Sequence, residues 1–255
     1  MQQVKRRTYS GCSLEVEVYR VSRQPRDLKS GRDPILRFKD EAERKAHRDN
    51  ISRKKFVRLV NANFSPASFY LTLTFDDENE CHDFREAKTL LRRYAWRLKR
   101  RCPEGKFVYV IGRGKNTNRI HAHMIADGFP EDFLIRQWTY GNVERCDHLR
   151  EHCYYDDGQG RKVDHGRDYA ALAVYLWEHW KPEQGGHRWK GTRNLAPPDR
   201  EPMTRCKRNY SKEKPPRVPE GYMLVSVQET RYGYKCFRYV LKPERQEIGK
   251  KRKRI

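Results

Sequence analysis

Ile120-His121-Ala122-His123-Met124-Ile125 is the stretch that most restricts what this chain can be. Two histidines two residues apart, between apolar neighbours, predict a β-strand with both imidazoles on one face and apolar side chains on the other. Imidazole is the commonest side-chain metal ligand, and a strand holds two of them with little freedom left to lose. His121 and His123 are therefore candidate metal ligands. The competing reading is an ordinary strand with two buried, hydrogen-bonded histidines, since a lone His-x-His pair is common.

The surrounding charge favours the first reading. The 255 residues include 56 Lys+Arg against 34 Asp+Glu, a formal net charge of +22. Such an excess selects a polyanionic partner, nucleic acid or an anionic membrane. The 12% aromatic content tips the choice to nucleic acid, because bases stack on rings. No stretch approaches the roughly 18 apolar residues of a membrane span, and no apolar signal region follows Met1. The expectation is a soluble, intracellular protein with no membrane partner. The seven cysteines are an odd number without small-scaffold spacing and read as reduced thiols. Cys146, His148, His152 and Cys153 stand apart as four zinc-type ligands within eight residues. That span is short for a two-knuckle site, and the plainer reading is a surface segment rich in His and Cys.

Periodicity orders the rest. Residues 12–21 alternate as a strand, 22–40 read as a loop, and Glu41–Asn61 reads as a long basic helix. Phe69–Phe75 is the clearest strand, ending at Asp76-Asp77. Phe84, Ala87, Leu91, Tyr94, Ala95 and Leu98 recur at helical spacing, leaving Arg92, Arg93, Arg97 and Arg100 on the outer surface until Pro103 and Gly105 break the helix. Lys106–Ile111 alternates again, and a short loop joins it to the paired-His strand, which makes the two an antiparallel hairpin. A short helix at Pro130–Arg136, a strand near Trp138–Val143 and a polar loop over 146–167 follow. From Asp168 to Trp180 a helix sets Tyr169, Ala173, Leu176, Trp177 and Trp180 on one side. Opposite them lie Asp168, Ala171, Tyr175, Glu178 and His179. Tyr169 thus belongs to the core stripe and Tyr175 to the polar face. Residues 181–217 read as loop, Tyr222–Val227 and Tyr234–Leu241 as a hairpin, and Lys250–Arg254 as a basic tail.

A tyrosine hydroxyl can attack a phosphodiester and conserve its energy in a covalent phosphotyrosine. Phenol has a pKa near 10, so it needs help, and a divalent cation on two imidazoles can polarise the phosphate. With these pieces in order, the sequence resembles the HUH endonucleases, and within them the rolling-circle replication initiators and replication-associated proteins of bacterial phages and mobile elements. The likeness runs over residues 12–200. It rests on Ser13–Tyr19, Asn63-Phe64, Leu71-Thr72-Leu73-Thr74-Phe75, Arg119-Ile120-His121-Ala122-His123, Trp138 with Gly141-Asn142-Val143, Asp168–Tyr175 and Arg193-Asn194-Leu195.

The resemblance implies an α+β fold of the HUH, RRM/ferredoxin-like kind. Its central antiparallel sheet has about five strands, with helices packed against it and the metal site on a central strand. The expected layout is an endonuclease-like domain over 1–200, a C-terminal hairpin extension over 201–245 and a basic tail over 246–255. His121 and His123 would bind Mg²⁺ or Mn²⁺, and Tyr175 would become linked to the 5′ phosphate of nicked single-stranded origin DNA, leaving a 3′-OH for replication. Arg92, Arg93, Arg97, Arg100, Arg119 and Arg193 would contact DNA.

The resemblance further implies work on an origin hairpin in the cytoplasm of a bacterial host. No Gly-x4-Gly-Lys-Ser/Thr loop is present, so a host helicase and polymerase would be partners. Family members often carry a glutamate as third metal ligand on the preceding strand, where this chain has Gly112. Glu178, one helical turn from Tyr175, is the expected substitute, as third ligand or general base. Two other functions stay open, a catalytically silent DNA- or RNA-binding protein of the same fold and a zinc-stabilised module built on Cys146–Cys153.

Overall fold

The computed structural model describes residues 2–21, 40–114, 117–180, 187–230 and 233–246. The loop expected over 22–40 and the basic tail fall almost wholly outside these residues. In chain order the elements are β1 (Gln2–Ser10), β2 (Ser13–Val21), α1 (Glu41–Asn63), β3 (Phe69–Thr74), α2 (Phe84–Arg101), β4 (Lys106–Arg113), β5 (Ile120–Asp127), α3 (Glu131–Gln137) and β6 (Val143–His148). Then come β7 (Tyr154–Asp156), β8 (Lys162–Asp164), α4 (Ala170–His179), β9 (Lys190–Gly191), β10 (Asp199–Arg200), β11 (Thr204–Arg205), β12 (Tyr222–Glu229), β13 (Lys235–Leu241) and α5 (Pro243–Gln246). The architecture is mixed α+β with antiparallel sheets, as expected.

The chain forms two compact units, one from 1–62, 152–168 and 197–255 and the other from 63–151 and 169–196. Contacts therefore cluster across the chain-order boundaries expected at 200 and 245 rather than along them. The strand over 13–21, expected within the endonuclease-like domain, pairs with β1 and with β13 of the C-terminal hairpin.

The unit built on 63–151 and 169–196 carries a five-stranded antiparallel sheet in the order β6-β3-β5-β4-β9, with the paired-His strand at its centre. Period-two alternation decides its faces. Leu71, Leu73, Tyr109, Ile111, Ala122 and Met124 point to one side and form a core with Leu91, Tyr94 and Leu98 of α2 and Leu134 of α3. Val108, Val110, His121, His123 and Ile125 have the opposite parity, and α4 packs on β4 from that side. Helix α2 starts where Asp83 Oδ1 accepts from the amides of Arg85 (2.7 Å) and Glu86 (2.9 Å), which satisfies two otherwise unpaired donors. It ends in Lys99, Arg100 and Arg101, favourable against the negative helix terminus.

The strand expected near Trp138–Val143 begins instead at Val143. The residues before it are tied to the sheet by other means. The Trp138 indole donates to the Thr74 carbonyl (3.0 Å), and the Thr74 amide donates to the Asn142 carbonyl (2.9 Å). Asn63, another residue of the resemblance, bonds Ala196 through both its amide nitrogen (2.8 Å) and oxygen (2.7 Å). Asn194 donates to the Glu104 carbonyl (2.9 Å). These positions hold the sheet's borders.

The other unit has a sheet in the order β10-β1-β2-β13-β12, with β11 also on β1, and a core of Leu14, Val16, Val18, Phe237 and Tyr239. Arg58 of α1 is buried and bridges Glu15 (2.5 Å) and Glu17 (2.9 Å) of β2. Burial alone would raise the Glu17 carboxyl, but Arg58 outweighs it and brings Glu17 down to about 2. Asp168, fully buried, is bonded by Arg238 and by Asn61 (3.2 Å). It therefore anchors this unit, and the helix expected from Asp168 starts at Ala170. No helix among the described residues is long and apolar enough to cross a membrane.

Candidate metal centre

On β5, His121 lies opposite Thr74 of β3 and Gly112 of β4, and His123 lies opposite Thr72 and Val110. Helix α4 brings a third imidazole to the pair. His121, His123 and His179 each offer one nitrogen within 4.8 Å of the others, and among the described residues this is the one such metal-competent group. The rings of His123 and His179 are 4.5 Å apart, and those of His121 and His123 4.8 Å apart.

Hydrogen bonding orients all three. His179 Nδ1 sits 2.8 Å from the Tyr175 carbonyl. A carbonyl only accepts, so this nitrogen carries the proton and Nε2 keeps its lone pair. His123 Nδ1 meets the hydroxyls of Tyr70 (2.8 Å) and Thr72 (3.3 Å), and its buried Nε2 has no hydrogen-bond partner. His121 Nδ1 lies 3.5 Å from the Arg119 carbonyl. An orphaned buried nitrogen among imidazoles, each braced from its other nitrogen, is what a metal-binding histidine set requires.

The electrostatics agree. Burial, reinforced by His179 and His121, pushes His123 down to about 3. Burial also lowers His121. These two imidazoles are thus neutral near pH 7 and ready to ligate. Burial raises the Tyr70 phenol to about 12, so it stays protonated.

Gly112 explains where the third ligand went. A Cβ there would stand 3.0 Å from His179 Cδ2, 3.3 Å from His179 Cβ and 3.4 Å from His121 Nε2. The strand position from which the resemblance leads one to expect a glutamate is empty of side chain, and the His179 imidazole lies over it. Glu178, the expected substitute, is exposed on α4 and is outside the group. The sequence carries a signal for the replacement: His179 shares the polar side of the helix with Tyr175.

Tyr175 is 46% exposed, although it belongs to a helix whose Ala173, Leu176 and Trp177 are buried. Its ring lies 4.2 Å from that of His179 and 5.5 Å from that of His123. Tyr169, the competing tyrosine, is buried and donates to the Arg150 carbonyl (3.1 Å).

The four-residue zinc cluster does not form. Cys146 and His148 lie on β6, opposite Leu71 and Phe69, where His148 stacks on Phe69 at 4.2 Å. Burial raises the Cys146 thiol to about 11, which disfavours a ligating thiolate. His152 and Cys153 belong to the other unit, where His152 bonds Asp164 (2.7 Å) and the Cys153 amide bonds the Gly166 carbonyl (2.8 Å).

The expected DNA-contacting arginines divide in two. Arg97 is spent on the Tyr140 hydroxyl (2.9 Å) and the Gln137 carbonyl (2.7 Å), and Arg119 on the Phe75 carbonyl (3.1 Å) and Asp77 (3.0 Å). Arg92, Arg93, Arg100 and Arg193 are exposed.

A central antiparallel strand that offers imidazoles to a tyrosine-bearing helix defines an α+β unit built to hold a divalent ion beside a hydroxyl. Residues 68–177 match the family model of the replication-associated protein ORF2, a match consistent with a rolling-circle replication initiator. The matched segment contains His121, His123 and Tyr175, and His179 falls just beyond it. No curated protein and no solved structure matches the chain.

Proposed function

We propose that this protein initiates rolling-circle replication by nicking single-stranded DNA at an origin, with Tyr175 as the nucleophile. The observation that carries this reading is an exposed tyrosine ring packed 4.2 Å and 5.5 Å from two imidazoles of a three-histidine group. His121, His123 and His179 would hold Mg²⁺ or Mn²⁺, which when bound supplies a Lewis acid for the scissile phosphate. The Tyr175 oxygen attacks phosphorus and the bond to the 3′ oxygen breaks. That oxygen leaves as a hydroxyl, and the phenolic proton passes to solvent. One phosphodiester is exchanged for another, so its energy is kept for rejoining.

Tyr70 and Thr72 brace His123 from its far nitrogen, and the Tyr175 carbonyl braces His179. The nucleophile's own backbone thus orients a ligand. The 3′-OH would be extended by a host polymerase behind a host helicase. The test is mass spectrometry of the DNA-linked peptide after incubation with an origin oligonucleotide and Mn²⁺. The expected adduct is on Tyr175 and vanishes in Tyr175→Phe. An adduct on another residue, or persistent cleavage by Tyr175→Phe, overturns the assignment.

A further inference from the structure

Helix α2 covers the sheet face opposite the histidines, and its outer surface is not used by anything described above. Trp96 is 60% exposed there. Arg85, Arg92, Arg93 and Arg100 share its side, all within about 100° of arc and roughly 22 Å of helix length. None of these arginines forms an ion pair among the described residues. Arg92 reaches only the Thr89 hydroxyl (3.5 Å), and the Arg100 guanidinium lies over the Trp96 ring at 5.0 Å. The nearby carboxylate of Glu86 is occupied by the His82 amide (3.0 Å). The helix's other cations, Arg97 and Lys99, turn back onto protein carbonyls.

A large indole left in water amid unpaired arginines fits one partner chemistry well. Guanidiniums match phosphates, and an exposed ring with a cation beside it matches the face of an unpaired base. An acidic protein would use the arginines but not the ring, and a duplex keeps its bases stacked away from it.

We propose that the Trp96 stripe of α2 is a second single-stranded DNA contact, separate from the strand held at His121, His123 and Tyr175. This rests on reading the chain as a replication protein, and it places DNA on both faces of one sheet. A strand that engages both would be held on either side of the nick.

The test uses the full chain with EDTA present, so that no cleavage intervenes, and a fluorescein-labelled thymidine oligomer. Trp96→Ala should weaken binding about tenfold, with Trp96→Phe close to wild type. Arg92→Gln with Arg93→Gln should reduce the slope of log affinity against log salt by about 1.4. Photocross-linking with iodouracil oligomers should label the α2 peptide. Unchanged affinity and salt slope in these variants, or preferential binding of duplex that is indifferent to Trp96→Ala, overturns the proposal. The nicking reading stands or falls separately, because Tyr175→Phe should lose the covalent adduct and retain this binding.

Discussion

Gly112→Ala is the smallest change that distinguishes a ligand-shaped vacancy from an ordinary strand glycine. Alanine has a higher intrinsic preference than glycine inside a strand, by about 0.5–1 kcal/mol, so on backbone grounds the substitution should stabilise. The added methyl would sit 3.0 Å from His179 Cδ2. Ordinary carbon contacts begin near 3.5 Å, so the imidazole must retreat by roughly 0.5 Å. Metal–ligand distances tolerate only about 0.2 Å. The expected result is Mn²⁺ affinity reduced about 10- to 100-fold by titration calorimetry, the range seen when a ligand's support is disturbed. Urea unfolding in EDTA should show stability equal to wild type or up to about 1 kcal/mol higher. Opposite signs in the two assays are the signature. Unchanged Mn²⁺ affinity would refute the reasoning, because His179 would then not need the space above Gly112.

Three further outcomes are expected. His179→Ala should lose most Mn²⁺ affinity in calorimetry while Glu178→Gln retains it; the reverse would restore the carboxylate as third ligand. Arg58→Met should leave Glu15 and Glu17 buried without a counter-charge and cost about 3–5 kcal/mol in urea unfolding. In the metal-free protein, His123 binds its proton at about 3 instead of the 6.5 of a free imidazole. Below pH 6.5 the unfolded chain therefore takes up a proton that the folded chain refuses. Stability should fall by up to about 1.4 kcal/mol per pH unit as pH drops from about 6.5 towards about 3, and should be level from this source at higher pH. Thermal melts of His123→Gln, which removes that titration, should show a shallower acid slope.

The elements of the tyrosine-bearing unit are legible in the sequence because their periods are clean. Leu71 and Leu73 alternate with Thr72 and Thr74, and the apolar stripe of α2 fits about 3.6 residues per turn. Helical phase alone separates Tyr175 from Tyr169. It does not reveal the third ligand. Glu178 and His179 lie about 60° and 40° to either side of Tyr175 on the helix, and only the packing of α4 on β4 decides which one meets β5. Strand β1 leaves no clear period because Gln2–Ser10 is mostly polar, with Val4 its only large apolar core residue. Its pairing is fixed by β2, β10 and β11 rather than by its own pattern. The Cys146–Cys153 cluster misleads because proximity in sequence says nothing about two side chains lying on a strand and two belonging to another unit.

The central place of β2 in its sheet bears on how the protein is made. One edge of β2 is satisfied at once by the hairpin with β1, but the other pairs with β13, which begins at Lys235. At ordinary synthesis rates of about 5–20 residues per second, roughly 10–40 s separate the emergence of the two strands. Throughout that interval the nascent chain carries an open strand edge, a template for pairing with a neighbour. Glu15 and Glu17 on that strand, without Arg58 until α1 has emerged, keep it charged in the meantime. The carboxylates that the finished molecule buries would thus guard the unfinished one against aggregation on the ribosome.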